Sequence, residues 1–172
     1  MKPLTDIAKS ELTQLLWAEL SLLVQSEEKI RQLVGDGADI SGDFLETAIM
    51  CVRPPHVQEE TGKKGLDIKW VMLLIELGAD MDYHDEDEFN CLWDAGDVWH
   101  PELLEFMLKR GANPNCISFG ESLLDWFISD RWHEESTWGN SRKGLEPIAK
   151  VIDLLKQYGA KHTSELLPSN IQ

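Results

Sequence analysis

Apolar positions return at three- and four-residue spacing in separate windows of the chain. Ile30, Leu33 and Val34 form one set, Val71, Leu74 and Ile75 a second, and Ile148, Val151, Ile152 and Leu155 a third. That spacing predicts amphipathic helices. Pro101 to Leu108 adds a fourth, with a proline suited to a first helical turn. Ser26 ahead of Glu27 and Glu28 reads as an N-cap followed by acids that favour the helix dipole. Asp67 can cap the helix that holds Val71. Each window closes on one phrase, an apolar helix end, two variable positions, then Gly-Ala and a polar residue. The copies run Leu33 to Asp39, Leu74 to Asp80, Met107 to Asn113 and Leu154 to Lys161. Glycine there closes a helix in the left-handed conformation that other residues resist. No single pair of such helices buries its own face, so neighbours must stack into one continuous core.

The closing glycines are Gly37, Gly78, Gly111 and Gly159, spaced by 41, 33 and 48 residues. The middle spacing and the repeated phrase resemble the ankyrin repeat. The third copy aligns to the family pattern without a gap from Asp85 to Cys116, with Asn90 to Ala95 in the Thr-Pro-Leu-His-x-Ala slot. Thr13 to Ala18 fills the same slot in the first copy and Ser122 to Trp126 in the fourth. The motif histidine is absent throughout, and Glu88 stands where the third copy's turn glycine belongs, so the likeness is to a degenerate member. The resemblance implies an all-α ankyrin-repeat solenoid of four helix-turn-helix repeats with short β-hairpin fingers and two inter-helix insertions. One domain, 1–172, would hold repeats at about 5–40, 41–82, 83–115 and 116–162 and a tail at 163–172. The long spacings arise from insertions at 54–66 and 134–146. Both end in basic phrases, Lys63-Lys64-Gly65-Leu66 and Arg142-Lys143-Gly144-Leu145, and read either as tolerated surface loops or as one built-out basic edge.

Charge narrows the partner. Among 172 residues, 31 acids face 16 bases, a net charge of −15. Phosphates need Lys and Arg, which disfavours nucleic acid, and an anionic membrane surface is disfavoured likewise. A basic protein is the natural partner of such a field. Between Trp70 and Leu108 lie 11 acids and no Lys or Arg, densest from Asp80 to Glu88. In the ankyrin frame that segment is a finger, read either as a solvated loop or as a docking surface. A calcium loop would need a Gly at its sixth position and a Glu at its twelfth, and neither falls in register. His84 has no second histidine at helical spacing, so no metal is expected.

Cys51, Cys91 and Cys116 are odd in number and form no C-x-x-C pair, which fits a reduced, cytoplasmic compartment. The N-terminus lacks an apolar signal core, and Trp70 to Leu77 is too short to span a bilayer, so no membrane role is expected. No catalytic signature stands out. His133-Glu134-Glu135 does not match H-E-x-x-H, and neither a G-x-S-x-G elbow nor a phosphate loop is present. A Cys–His pair meeting in space stays open. No cofactor is expected, and the chain alone is expected to be a monomer.

Seven tryptophans are many for this length. Trp17, Trp70, Trp93 and Trp126 fall where the stack would bury them. Trp99 replaces the turn glycine between two helices. Trp132 and Trp138 flank or enter the second insertion, as loop packing or as binding anchors. Ankyrin proteins bind through finger tips and the exposed side of the first helices. Position by position, the resemblance then implicates Glu86, Asp87, Phe89, Asp97 and Val98, followed by Ser118, Phe119, Glu121, Ser129 and Asp130. Phe89 and Phe119 would be apolar centres of an acidic patch. The chain is also similar to bacterial ankyrin-repeat proteins of the immunity type. That likeness implies a non-catalytic immunity protein that neutralises a basic bacterial toxin through an acidic concave face. The alternative is an intracellular adaptor or regulator with no toxin partner.

Overall fold

In the computed structural model, residues 6–22, 25–41, 43–53, 57–59, 62–84, 90–129 and 145–167 are described. They are mostly helical. In chain order they form α1 (Asp6–Leu20), α2 (Glu27–Gly35), α3 (Asp43–Met50), α4 (Ile68–Glu76), α5 (Cys91–Asp97) and α6 (Pro101–Lys109). Next come strands β1 (Ile117–Ser118) and β2 (Glu121–Ser122), then α7 (Leu123–Ile128), α8 (Leu145–Gln157) and α9 (Thr163–Leu166).

Side-chain caps start four of these helices, two of them at the serine and aspartate that the sequence predicts. Ser26 accepts from the Lys29 amide and Asp67 from the Lys69 amide at 3.0 Å. Asn90 accepts from the Trp93 amide at 2.9 Å, and Ser122 from the Asp125 amide at 3.2 Å. Each satisfies a donor that the helix leaves orphaned.

The four closing phrases share one geometry. Gly37, Gly78, Gly111 and Gly159 have φ of 107°, 99°, 94° and 82°. After each, the alanine amide reaches back to the helix carbonyl five residues earlier. The pairs are Ala38 to Leu33, Ala79 to Leu74, Ala112 to Met107 and Ala160 to Leu155, at 2.9 to 3.2 Å. That is the Schellman ending, and it satisfies carbonyls that would otherwise face no donor.

The helices pack as sequential neighbours α1/α2, α3/α4, α5/α6 and α7/α8. Successive pairs then meet in a row, α3 against α5, α4 against α6, and α6 against α8. The first pair joins through Trp17 of α1 and Phe44 of α3, whose ring centroids lie 4.6 Å apart. Glu76 of α4 takes Arg110 at 3.0 Å and Arg31 of α2 at 3.9 Å, tying three pairs along one side. A single core runs through the row, from Leu16 and Ile30 through Leu45, Leu74, Leu92 and Leu104 to Phe127 and Leu155.

Close approach explains two further glycines. A Cβ on Gly96 of α5 would lie 2.6 Å from the Phe127 ring of α7. A Cβ on Gly65 would lie 2.6 Å from the Cys51 carbonyl, which accepts the Leu66 amide at 2.8 Å. That bond fastens the end of the first insertion to the end of α3. Elsewhere in 54–66, residues 57–59 and 62–64 are described, with Val57 buried.

Thr13, in the slot assigned to the first copy, does not open a helix. It lies inside α1, donating to the Lys9 carbonyl at 2.9 Å and accepting from the Asp39 amide at 2.8 Å. Leu15 is 56% exposed, whereas Leu92 in the supposedly equivalent place is fully buried. Residues 13–18 therefore do not correspond to 90–95. Trp99 keeps the positive φ of the glycine it replaces, 52°, but its side chain is fully buried and belongs to the core. The start of the tail is ordered into α9, which is tied to α7. Thr163 Oγ1 accepts the Ser122 amide at 2.9 Å, and Asp125 accepts the Thr163 amide at 2.7 Å. Among the described residues, no helix is long and apolar enough to cross a membrane.

Candidate protein-binding surface

The finger before α7 is a two-stranded antiparallel hairpin with Ile117 opposite Ser122 and Ser118 opposite Glu121. Its turn is Phe119-Gly120, with φ of 47° and 76°. Two successive left-handed residues match the right-handed twist of a hairpin. Glycine accepts this freely, but phenylalanine loses roughly 1–2 kcal/mol there. The root is fixed. Ser118 and Ser122 are buried, and Ser122 caps α7. The tip is open, with Phe119 70% exposed. An aromatic ring is thus held outward on a rigid root in a conformation it disfavours. Glu121 beside it is half-buried.

Asp97 is the last residue of α5 and is half-buried. Burial pushes its carboxyl above the usual aspartate range. The helix C-terminus is also where the backbone dipole disfavours negative charge. The adjacent Gly96 touches Phe127, so this end of α5 sits against α7. Asp97 is therefore a carboxylate whose ionised form is penalised where it stands. Val98 does not serve as a contact residue. It is fully buried, and its side chain belongs to the core. Ser129 is half-buried, with its hydroxyl donated to the Trp126 carbonyl at 2.8 Å.

The acidic finger before α5 is described at its base only, where His84 bridges Asn90 and where Asp80 and Asp82 are exposed. Its tip residues Glu86, Asp87 and Phe89 lie outside the described residues. So do Asp130, Trp132 and Trp138.

Of the four tryptophans expected in the stack, only two are fully taken up by it. Trp70 and Trp93 are buried, Trp17 and Trp126 half-buried, and Trp93 meets Trp126 at 5.7 Å. The buried cysteines are poorly suited to nucleophilic work. Burial pushes the Cys116 thiol up to about 11, and burial with the nearby Asp94 pushes Cys91 further in the same direction. A nucleophilic thiol needs the opposite shift. Among the described residues, no three His, Cys, Asp or Glu side chains converge as metal ligands would.

The tie between Asp125 and the tail is a feature that sequence reasoning missed. Burial alone would raise this carboxyl. The Thr163 hydroxyl and amide, with His162, outweigh that effect and hold it at about 2. The partners are 37 and 38 residues away along the chain, so no local pattern announces them.

No protein-family model matches the chain. Among curated proteins it is similar to glycerophosphocholine phosphodiesterase GDE1 of Candida albicans, 30% identical over 95 residues. That similarity takes in 52% of this chain and 7% of the other protein. The chain therefore spans a small fraction of the relative that it matches.

Proposed function

We propose that this chain is a non-catalytic protein-binding module, an ankyrin-type solenoid of four helix pairs whose partner is a basic protein. The reading of the solenoid rests on the Schellman ending that recurs after the second helix of every pair, with the pairs packed in a row. The reading of the function rests on Phe119, held outward at a hairpin tip on a chain of net charge −15. A rigid exposed aromatic within an acidic surround suits a partner rich in Lys and Arg. The more specific form is an immunity protein that binds and blocks a basic toxin, by occlusion or by mimicry of phosphate charge. An acidic inhibitor gains association rate through steering. The three unpaired cysteines support action in a reducing, cytoplasmic setting.

Reversal of the acidic patch tests this reading. In Glu86→Lys/Asp87→Lys/Glu121→Lys, capture of the basic partner and protection of cells that express it should both fail. Undiminished protection by this variant would remove acidic docking as the mechanism.

A further inference from the structure

A groove between α1 and α3, at the other end of the row from the Phe119 finger, has a lining with one-sided chemistry. Thr13, Trp17, Asp39, Ser41, Asp43, Phe44 and Thr47 enclose a cavity of about 220 Å³. Its aromatic wall is the Trp17–Phe44 pair. Trp17 is only half-buried, although the sequence places it in the core.

Every hydroxyl proton in this lining is already spent. Thr13 donates to the Lys9 carbonyl, and Thr47 donates to the Asp43 carbonyl at 2.8 Å. Ser41 gives both its hydroxyl and its amide to Asp39 Oδ1. What remains is the Trp17 indole N–H and the acceptor capacity of two carboxylates. Among the described residues, neither Asp39 Oδ2 nor the Asp43 carboxylate receives a hydrogen bond. The lining has no Lys or Arg. Lys9, the nearest cation, lines an adjoining cavity that shares Thr13, Trp17 and Asp39.

The complementary ligand carries several donors, a positive charge and a flat face. Guanidinium meets all three requirements, since it stacks on aromatic rings and forks to carboxylates. An ammonium has the charge without the plane. We propose that this groove is a docking pocket for an arginine side chain of the basic protein partner, with the guanidinium held by Asp39 and Asp43 beside the Trp17 ring. The identity of the occupant rests on the function proposed above. The chemistry of the pocket is measurable without the partner.

The test titrates the amidated, N-acetylated peptide Gly-Arg-Gly into the full chain at fixed ionic strength, followed by amide and indole NMR shifts. Matched peptides with Lys or Gln at the centre serve as comparisons. The Arg peptide should move the Trp17 indole and the amides of Asp39, Ser41 and Phe44. Its apparent affinity should exceed that of the Lys peptide at least threefold, and the Gln peptide should leave these signals still. Asp43→Asn, whose carboxylate bonds to nothing within the described residues, should weaken the Arg peptide at least fivefold without altering the rest of the spectrum. Trp17→Leu should also weaken the Arg peptide, and Trp17→Phe should retain most of the binding.

Equal shifts from Arg and Gln peptides, or an unchanged affinity in Asp43→Asn, would overturn the pocket. So would shifts confined to Phe119 and Glu121, which would still leave a basic partner in place. Binding of the Arg peptide here, with no basic partner captured from cells, would retain the pocket and remove the partner reading instead.

Discussion

Asp125 Oδ1 lies 2.6 Å from Nδ1 of His162, and the same carboxylate accepts the Thr163 amide at 2.7 Å. One acid at the start of α7 thus anchors the segment that follows α8. Asp125→Ala should release α9, with a loss of about 1 kcal/mol for the part-exposed hydrogen bonds removed. Hydrogen exchange at residues 163–167 should accelerate before the rest of the chain responds. The sign of the pH effect follows from the lowered carboxyl, about 2 against an ordinary 3.8. Its contribution is fully present above pH ~4 and fades as the pH falls toward about 2. Acid unfolding of Asp125→Asn should therefore be flatter across that window than that of the parent chain.

Two glycine substitutions should separate conformation from space. Gly111→Ala meets no atom within 4 Å, so its loss should stay near the roughly 1 kcal/mol of a left-handed alanine. Gly96→Ala forces a Cβ into the Phe127 ring and should lose about 1–3 kcal/mol through overpacking. Adding Phe127→Leu to Gly96→Ala should recover part of that loss. Urea denaturation of the parent chain, Gly111→Ala, Gly96→Ala, Phe127→Leu and the double variant measures both effects. Additive losses would show that the ring is not the obstacle.

Phe119→Asn should move stability and binding in opposite directions. Asparagine tolerates the left-handed turn, so the variant should gain up to about 1 kcal/mol. Affinity for the partner should fall, because the exposed ring is gone. A variant both more stable and equally tight would make the ring incidental to docking.

Asp97→Asn follows the same logic through charge. A carboxyl whose folded value is raised is penalised once ionised, so the native chain loses stability as pH rises through the aspartate range. The amide variant should be more stable at neutral pH and should lack this part of the pH trend. It should also hold a basic partner less tightly. Thermal melts at pH 3 and pH 7 would check the sign.

What the sequence made legible was local. Helix ends depend on a glycine and its immediate neighbours, so all four were readable from short phrases. Caps at Ser26 and Asp67 were readable for the same reason. Thr13 misled because Leu15, Leu16 and Ala18 follow it in the spacing of a slot. Membership in a longer α1 is decided by which face meets α2 and α3. Gly96 was silent because its obstacle, Phe127, comes from the next pair. Asp125 was silent because its partners lie beyond an insertion. Val98 was placed on the surface by family position, and tertiary packing put it in the core. The groove of Trp17, Asp39 and Asp43 combines a half-buried ring with acids from a separate element, which no single window contains.

The most direct measurement is capture of the partner from lysate of the chain's own source, washed at low and high salt and identified by mass spectrometry. The account predicts one stoichiometric basic protein, harmful when expressed alone and harmless beside this chain, lost from Glu86→Lys/Asp87→Lys/Glu121→Lys. Retention at high salt would assign more of the affinity to Phe119 and its apolar neighbours than to charge. Several unrelated partners, or one acidic partner indifferent to those substitutions, would contradict it.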